Sequence, residues 1–147
     1  GVFSRHWVRP IAEVLHELGS ERVLVVHAED GLDEISIGAP THIAELAGGE
    51  VREYTVTPAA LGLTPAPLEA LRVESAAESL ERIRGAFAGE QTPAAELIAV
   101  NAGAALYVAG RADSLVAGVA SARELMASGV VAATMERFAT KTQELGS

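Results

Sequence analysis

Val23-Leu24-Val25-Val26-His27 leads directly into Ala28-Glu29-Asp30-Gly31-Leu32-Asp33-Glu34. The first five residues are apolar or β-branched without alternation. Such a run reads as a strand covered on both faces, as in a parallel sheet. Upstream, Gly1-Val2-Phe3 is apolar and Ser4 can cap a helix through its hydroxyl oxygen. That helix carries Ile11, Val14, Leu15 and Leu18 at one-stripe spacing and stops at Gly19. Pro10 either begins its regular part or kinks it. Strand, helix and strand make a βαβ unit, which places the loop 28–34 at the carboxyl end of its second strand. Open α/β sheets bind ligands at that end.

Beyond the loop the pattern changes. Ile43–Leu46 and Val51–Val56 flank Ala47-Gly48-Gly49-Glu50, which predicts an antiparallel hairpin. Pro58, Gly62, Pro65 and Pro67 mark a loop. The rest reads as helical. Ser75-Ala76-Ala77-Glu78 is a capping box before Leu80, Ile83 and Phe87. Thr92-Pro93 opens a helix that is apolar nearly all round to Tyr107, and its Asn101-Ala102-Gly103-Ala104-Ala105 stretch lets neighbouring backbones approach. A further helix from Asp113 carries Leu115, Val119, Ala122 and Met126 and ends at Gly129; the last carries Val131, Met135, Phe138 and Leu145. The chain shows no internal repeat. Two doubly covered strands are too few for a stable open sheet. The expectation is an α/β fold with a partial parallel sheet, flanking helices and an antiparallel hairpin, completed by strands from elsewhere.

Composition narrows the function. Eleven Lys and Arg against twenty Asp and Glu give a net charge of −9 over 147 residues, 49% of them hydrophobic. The acidic balance argues against nucleic acid or an anionic membrane as partner. With no cysteine, disulfides, thiol catalysis and Cys-ligated metal are excluded. The longest uncharged apolar run, Leu97–Gly110, falls short of the ~20 residues that span a bilayer. A cytoplasmic, globular piece is expected.

Asp33 and Glu34, with Glu29 and Asp30 close by, are the sharpest chemical candidates. Mg2+ takes one or two protein carboxylates and shares the rest of its shell with water and substrate phosphate. The same residues also read as turn formers or caps on a solvated surface. His27, alone at a strand end, reads more readily as a satisfied, partly buried residue than as a base or ligand. His6, His16 and His42 have no metal-ligand spacing. Ser4, Ser36 and Thr41 lack a visible activating partner, so no catalytic nucleophile is assigned. No glycine-rich phosphate cradle occurs, since Gly48-Gly49 is a turn and Gly31 stands alone. Asn101 reads as satisfying nearby backbone groups rather than a ligand.

The string Val25-Val26-His27-Ala28-Glu29-Asp30-Gly31-Leu32-Asp33-Glu34-Ile35-Ser36 closely resembles the strand-and-loop signature of the anthranilate phosphoribosyltransferase family. Gly1–Gly19, Thr41–Gly62, Asn101–Leu106 and Ser114–Gly129 resemble its flanking segments. Ala28 stands where many members carry glycine. The resemblance implies a nucleoside phosphorylase/phosphoribosyltransferase-like fold, with residues 1–147 as the C-terminal part of its α/β domain. The family's N-terminal helical domain, glycine-rich diphosphate loop and Lys-His-Gly-Asn segment are absent. It implies transfer of 5-phosphoribosyl from phosphoribosyl pyrophosphate to anthranilate in tryptophan biosynthesis, with release of pyrophosphate. Asp33 and Glu34 match the family's acidic Mg2+ ligands, whereas His27 and Asn101 gain no catalytic role. The substrate-binding residues are expected in the missing N-terminal part. The chain alone is therefore expected to be inactive and to self-associate through its truncated sheet edge. A pyrimidine nucleoside phosphorylase-like fragment and a non-catalytic α/β module are the competing readings.

Overall fold

The computed structural model describes residues 1–146. A short 3-10 turn, Arg5–Trp7, leads into α1 (Val8–Glu17), followed by β1 (Val23–Ala28), β2 (Thr41–Ala47) and β3 (Glu50–Val56). Helices α2 (Ala76–Phe87), α3 (Pro93–Val108), α4 (Leu115–Ala127) and α5 (Val130–Leu145) complete the chain. Ser4 caps the 3-10 turn by accepting from His6 N–H, and α1 grows out of that turn. Pro10 falls in the first turn of α1, where its missing N–H is not needed.

The strands form one sheet in the order β1-β2-β3, and both pairings are antiparallel. The α/β class, the flanking helices and the hairpin are as expected, but β1 joins the hairpin antiparallel rather than forming a parallel sheet beside it. Besides β2, the neighbour of β1 is the Gly1–Phe3 segment, which contributes one backbone bond, Val2 N–H to Val26 C=O at 2.9 Å. A strand that is apolar on both faces reports double coverage, and coverage carries no information about strand direction.

That coverage is real. Val25 and Ala44 pack beneath Val8 and Ala12 of α1, with Ile11, Leu15, Val23 and Val51 at the margin. On the other face Val26 and Ile43 meet Val100 and Ala104 of α3 and Val119 of α4, together with Ile35, Ile37, Leu61 and Leu63 from the loops. The buried stripe of α1 keeps Ile11 and Leu15 from the one predicted but not Val14 and Leu18. Val14 is 53% and Leu18 77% exposed, and Val8 and Ala12 take their place. Both sets satisfy a 3.6-residue period; the small Ala12 lets the helix axis approach the sheet.

The hairpin closes through Gly48 and Gly49, whose φ values of +59° and +80° fit a two-residue turn that matches the strand twist. Ser75, Thr92 and Ser114 cap α2, α3 and α4, each accepting an N–H three residues on. At Ser75, Glu78 turns back to the N–H of Glu74 at 2.8 Å. This bond, seconded by Arg82, holds its carboxyl below the ordinary glutamate range. Helices α3 and α4 meet backbone to backbone at Gly103 and Gly118, where a Cβ on either residue would strike the partner's main chain. The small-residue stretch of α3 therefore does what its composition predicts. Helix α5 is least integrated: Val131 packs on a cluster built by Ala86, Ala95, Ala99, Ala122 and Met126, whereas Phe138 and Leu145 face outward. Among the described residues no single helix is long and apolar enough to cross a membrane.

Candidate functional site

The segment between β1 and β2 is closed at its base by two backbone bonds, Ala28 N–H to Leu32 C=O and Glu29 N–H to Pro40 C=O, both 2.9 Å. Inside it, Asp30 has a structural task. One carboxylate oxygen accepts from the Ser36 hydroxyl at 2.5 Å and the other from Leu32 N–H at 3.4 Å. The Ser36 oxygen in turn accepts from Gly38 N–H and Ala39 N–H, and Thr41 Oγ1 accepts from Ser36 N–H. Ser36 thus has an acidic partner after all. It is 2% exposed and fully engaged, which makes it a loop-forming group and not a nucleophile.

Asn101 completes the frame from the opposite side. Its Oδ1 accepts from Ile35 N–H at 2.9 Å, and its Nδ2 donates to the carbonyls of Ile35 and Leu97, both at 3.0 Å. The expected backbone-satisfying role is what the geometry gives it. His27 likewise spends its Nδ1 on the Val2 carbonyl at 2.9 Å, tying the N-terminal segment to β1. The carboxamide of Asn101 is fully engaged, and the contact to Val2 occupies one of the two ring nitrogens of His27. Glu29 is not simply solvated: it lies 3.1 Å from His42 Nε2, and His42 Nδ1 contacts Thr55 Oγ1.

Asp33 and Glu34 stand apart from this network. Both are exposed, and neither side chain makes a hydrogen bond or ion pair with the described residues. They line one cleft of about 490 Å³ beside the β1 edge, whose floor is Leu24, Val26, Ala104 and Ala105. Two unsatisfied carboxylates at the mouth of an apolar cleft supply hard oxygen donors without a closed cage. Among the described residues no cluster of three or more His, Asp or Glu converges. The donor set fits a cation such as Mg2+, which completes its shell with water and phosphate oxygens. It does not fit a structural zinc site, which needs four protein ligands.

A second polar group escaped the sequence reading. Glu45, in the middle of β2, accepts from Tyr54 Oη at 3.0 Å and from Tyr107 Oη at 2.6 Å, tying β3 and α3 to β2. Burial first, then the Glu45 charge, pushes the Tyr54 phenol well up; for Tyr107 the hydrogen bond to Glu45 leads. Arg22 lies over the Tyr107 ring, 5.0 Å from its centroid. A carboxylate inside an otherwise buried strand was the available signal, because such a group requires a partner.

Comparison with known proteins adds to this geometry. An anthranilate phosphoribosyltransferase of Halorhodospira halophila is 62% identical over 145 residues, covering 99% of this chain and 42% of that protein. One from Alkalilimnicola ehrlichii is 55% identical, covering 99% of this chain and 43% of that protein. The crystal structure of anthranilate phosphoribosyltransferase from Thermus thermophilus superposes with a TM-score of 0.85 at 43% identity, over 94% of this chain and 40% of that one. The Saccharomyces cerevisiae enzyme in complex with PRPP and Mg shares the fold, with a TM-score of 0.82 at 21% identity over 94% of this chain and 40% of that one. The chain thus spans about two fifths of the length of the relatives it matches. The model of the glycosyl transferase family a/b domain matches residues 1–132, and the chain belongs to that family.

Proposed function

We propose that this chain serves as the C-terminal part of the α/β domain of an anthranilate phosphoribosyltransferase acting in tryptophan biosynthesis in the cytoplasm. The substrates are phosphoribosyl pyrophosphate and anthranilate, and pyrophosphate is the product. The observation that carries the reading is the Asp33–Glu34 pair, exposed and without internal partners, at one cleft on a loop whose other polar residues are all engaged. Asp33 and Glu34 would hold Mg2+, whose charge offsets that building on the departing pyrophosphate. The protein's own part is positioning: the loop presents both carboxylates, and Leu24, Val26, Ala104 and Ala105 keep the cleft floor apolar. Displacement of this kind gains most of its rate from alignment and charge stabilisation. The residues that cradle diphosphate and orient anthranilate lie outside residues 1–147, so the chain by itself is inactive.

The test uses a full-length enzyme in which this chain replaces the matching segment of the Halorhodospira halophila relative. That chimera should release pyrophosphate from phosphoribosyl pyrophosphate only when anthranilate is present. Asp33→Asn and Glu34→Gln should each lower kcat/KM by about a hundredfold or more. Glu29→Gln, which disturbs only the contact to His42, should stay within about threefold. Equal and mild effects at all three positions would remove the metal pair from the proposal.

A further inference from the structure

We infer that Asn101 is a positioning residue for the carboxylate pair: from α3 it fixes the peptide that follows Glu34, so that Asp33 and Glu34 face one cleft. The inference rests on the reading of that pair as metal ligands and goes beyond it by naming the group that aims them.

Because neither carboxylate has a bond of its own, the loop backbone alone sets the positions from which the two side chains reach the cleft. Upstream, that backbone is held by Ala28, Asp30 and the Leu32 peptide. Downstream, the Ile35 N–H belongs to the same peptide unit as the Glu34 carbonyl, and Asn101 Oδ1 holds it at 2.9 Å. The same carboxamide donates to the Ile35 carbonyl, so it grips both polar groups of one residue as a neighbouring strand would. Its remaining N–H goes to Leu97 C=O, one turn earlier on α3, and this fixes the side-chain rotamer. One acceptor and two donors in a plane are what a carboxamide offers; aspartate lacks the donors and serine the reach. Ile35 is itself 1% exposed and packs in the central cluster, so the gripped residue cannot drift. Helix α3 thereby transmits the position of the core to the mouth of the cleft.

The experiment measures Mn2+ binding by paramagnetic resonance, with pyrophosphate present, in the full-length chimera. Asn101→Leu keeps the branched four-atom skeleton and deletes all three bonds; Asn101→Ser is a smaller second variant should the bulkier leucine prevent folding. Both should weaken Mn2+ binding about tenfold and raise the Mg2+ concentration for half-maximal rate by a similar factor, with kcat at saturating Mg2+ nearly unchanged. Hydrogen exchange at the Ile35 amide should accelerate in the same variants. Val119→Ala, a core change beside α3, controls for stability: it should lower Tm and leave Mn2+ affinity intact. Wild-type affinity in a folded Asn101→Ser variant overturns the positioning role, as does an equal loss of affinity in Val119→Ala. The Asp33→Asn variant separates the two levels. If it retains full Mn2+ affinity, the metal reading falls and this inference with it; if it loses affinity while Asn101→Ser does not, only the positioning role falls.

Discussion

Gly103→Ala adds one methyl group where α3 and α4 touch. The new Cβ would lie 2.5 Å from Val119 N, 2.6 Å from Gly118 C and 2.8 Å from Val119 Cα. All three are main-chain atoms, so no side chain can swing aside. Carbon contacts are comfortable from about 3.5 Å, so the helices must part by about 1 Å, which also forfeits a quarter to a half of the dispersion contacts along the seam. Val100, Ala104, Val119 and Ala122 line or adjoin that seam and are nearly fully buried. Overpacking of this kind costs about 1–3 kcal/mol. Replacing a helical glycine by alanine returns about 0.5–1 kcal/mol. With the lost seam contacts included, the net destabilisation is about 2 kcal/mol. Urea unfolding of the 147-residue chain followed by circular dichroism should show a midpoint lower by about 1 M at unchanged slope. Gly118→Ala, whose Cβ meets the Gly103 carbonyl, should cost as much. The double variant should cost less than the sum, because the first separation opens room for the second methyl. A Gly103→Ala chain as stable as the parent, or more stable by its helix-propensity gain, would refute the backbone contact.

Other expected outcomes follow from the same contacts. Tyr54 and Tyr107 both have phenol pKa values raised in the folded state; above the ordinary tyrosine pKa of about 10 the unfolded chain therefore ionises first. Their contribution is complete below pH ~10 and is lost as pH climbs beyond it, and a Tyr54→Phe variant should flatten this slope in urea midpoints measured from pH 8 to 11.5. Glu45→Leu should destabilise by about 2 kcal/mol through two unpaired phenols, with Glu45→Gln recovering part of the loss. The isolated chain should give no phosphoribosyl transfer in a radiolabel assay, and turnover by it would contradict the placement of the substrate-binding groups outside residues 1–147. It should also self-associate in a sedimentation concentration series through the β1 edge, where Val2 supplies a single backbone bond; a strict monomer with Val23–Val25 protected from hydrogen exchange would show that edge to be closed.

Local signals in the sequence were legible wherever one residue type answers one local need. Ser75 and Thr92 cap, Gly48-Gly49 turns, and Gly103 sits where helices cross. The carboxylate pair was visible as a composition of the loop and gained its meaning from resemblance. Strand direction was not legible, because Val23–Ala28 is equally apolar whichever way its neighbour runs. The buried side of α1 was legible in part: Ile11 and Leu15 of the expected stripe pack against the sheet, whereas Val14 and Leu18 give way to Val8 and Ala12, a choice that tertiary contact makes. The tasks of Glu45 and Asn101 depend on partners as far as 62 and 66 residues away, beyond any local pattern, and the Asp30–Ser36 bond spans an irregular loop with no period to read.

The two ends of the sheet differ in what they can absorb. Residues 29–40 are cross-braced through Asp30, Ser36 and the Ile35 peptide, so one added residue there would misalign Asp30, Ser36 and Asn101 together. The Gly48-Gly49 turn lies at the other end, where β1 begins and β2 finishes, and a Cβ at either glycine meets nothing within 4 Å. A fluorophore-bearing peptide or affinity tag spliced between Gly48 and Gly49 would leave the sheet at the end opposite the 29–40 loop. Reporters for the loop can thus be carried by the protein without touching the loop itself.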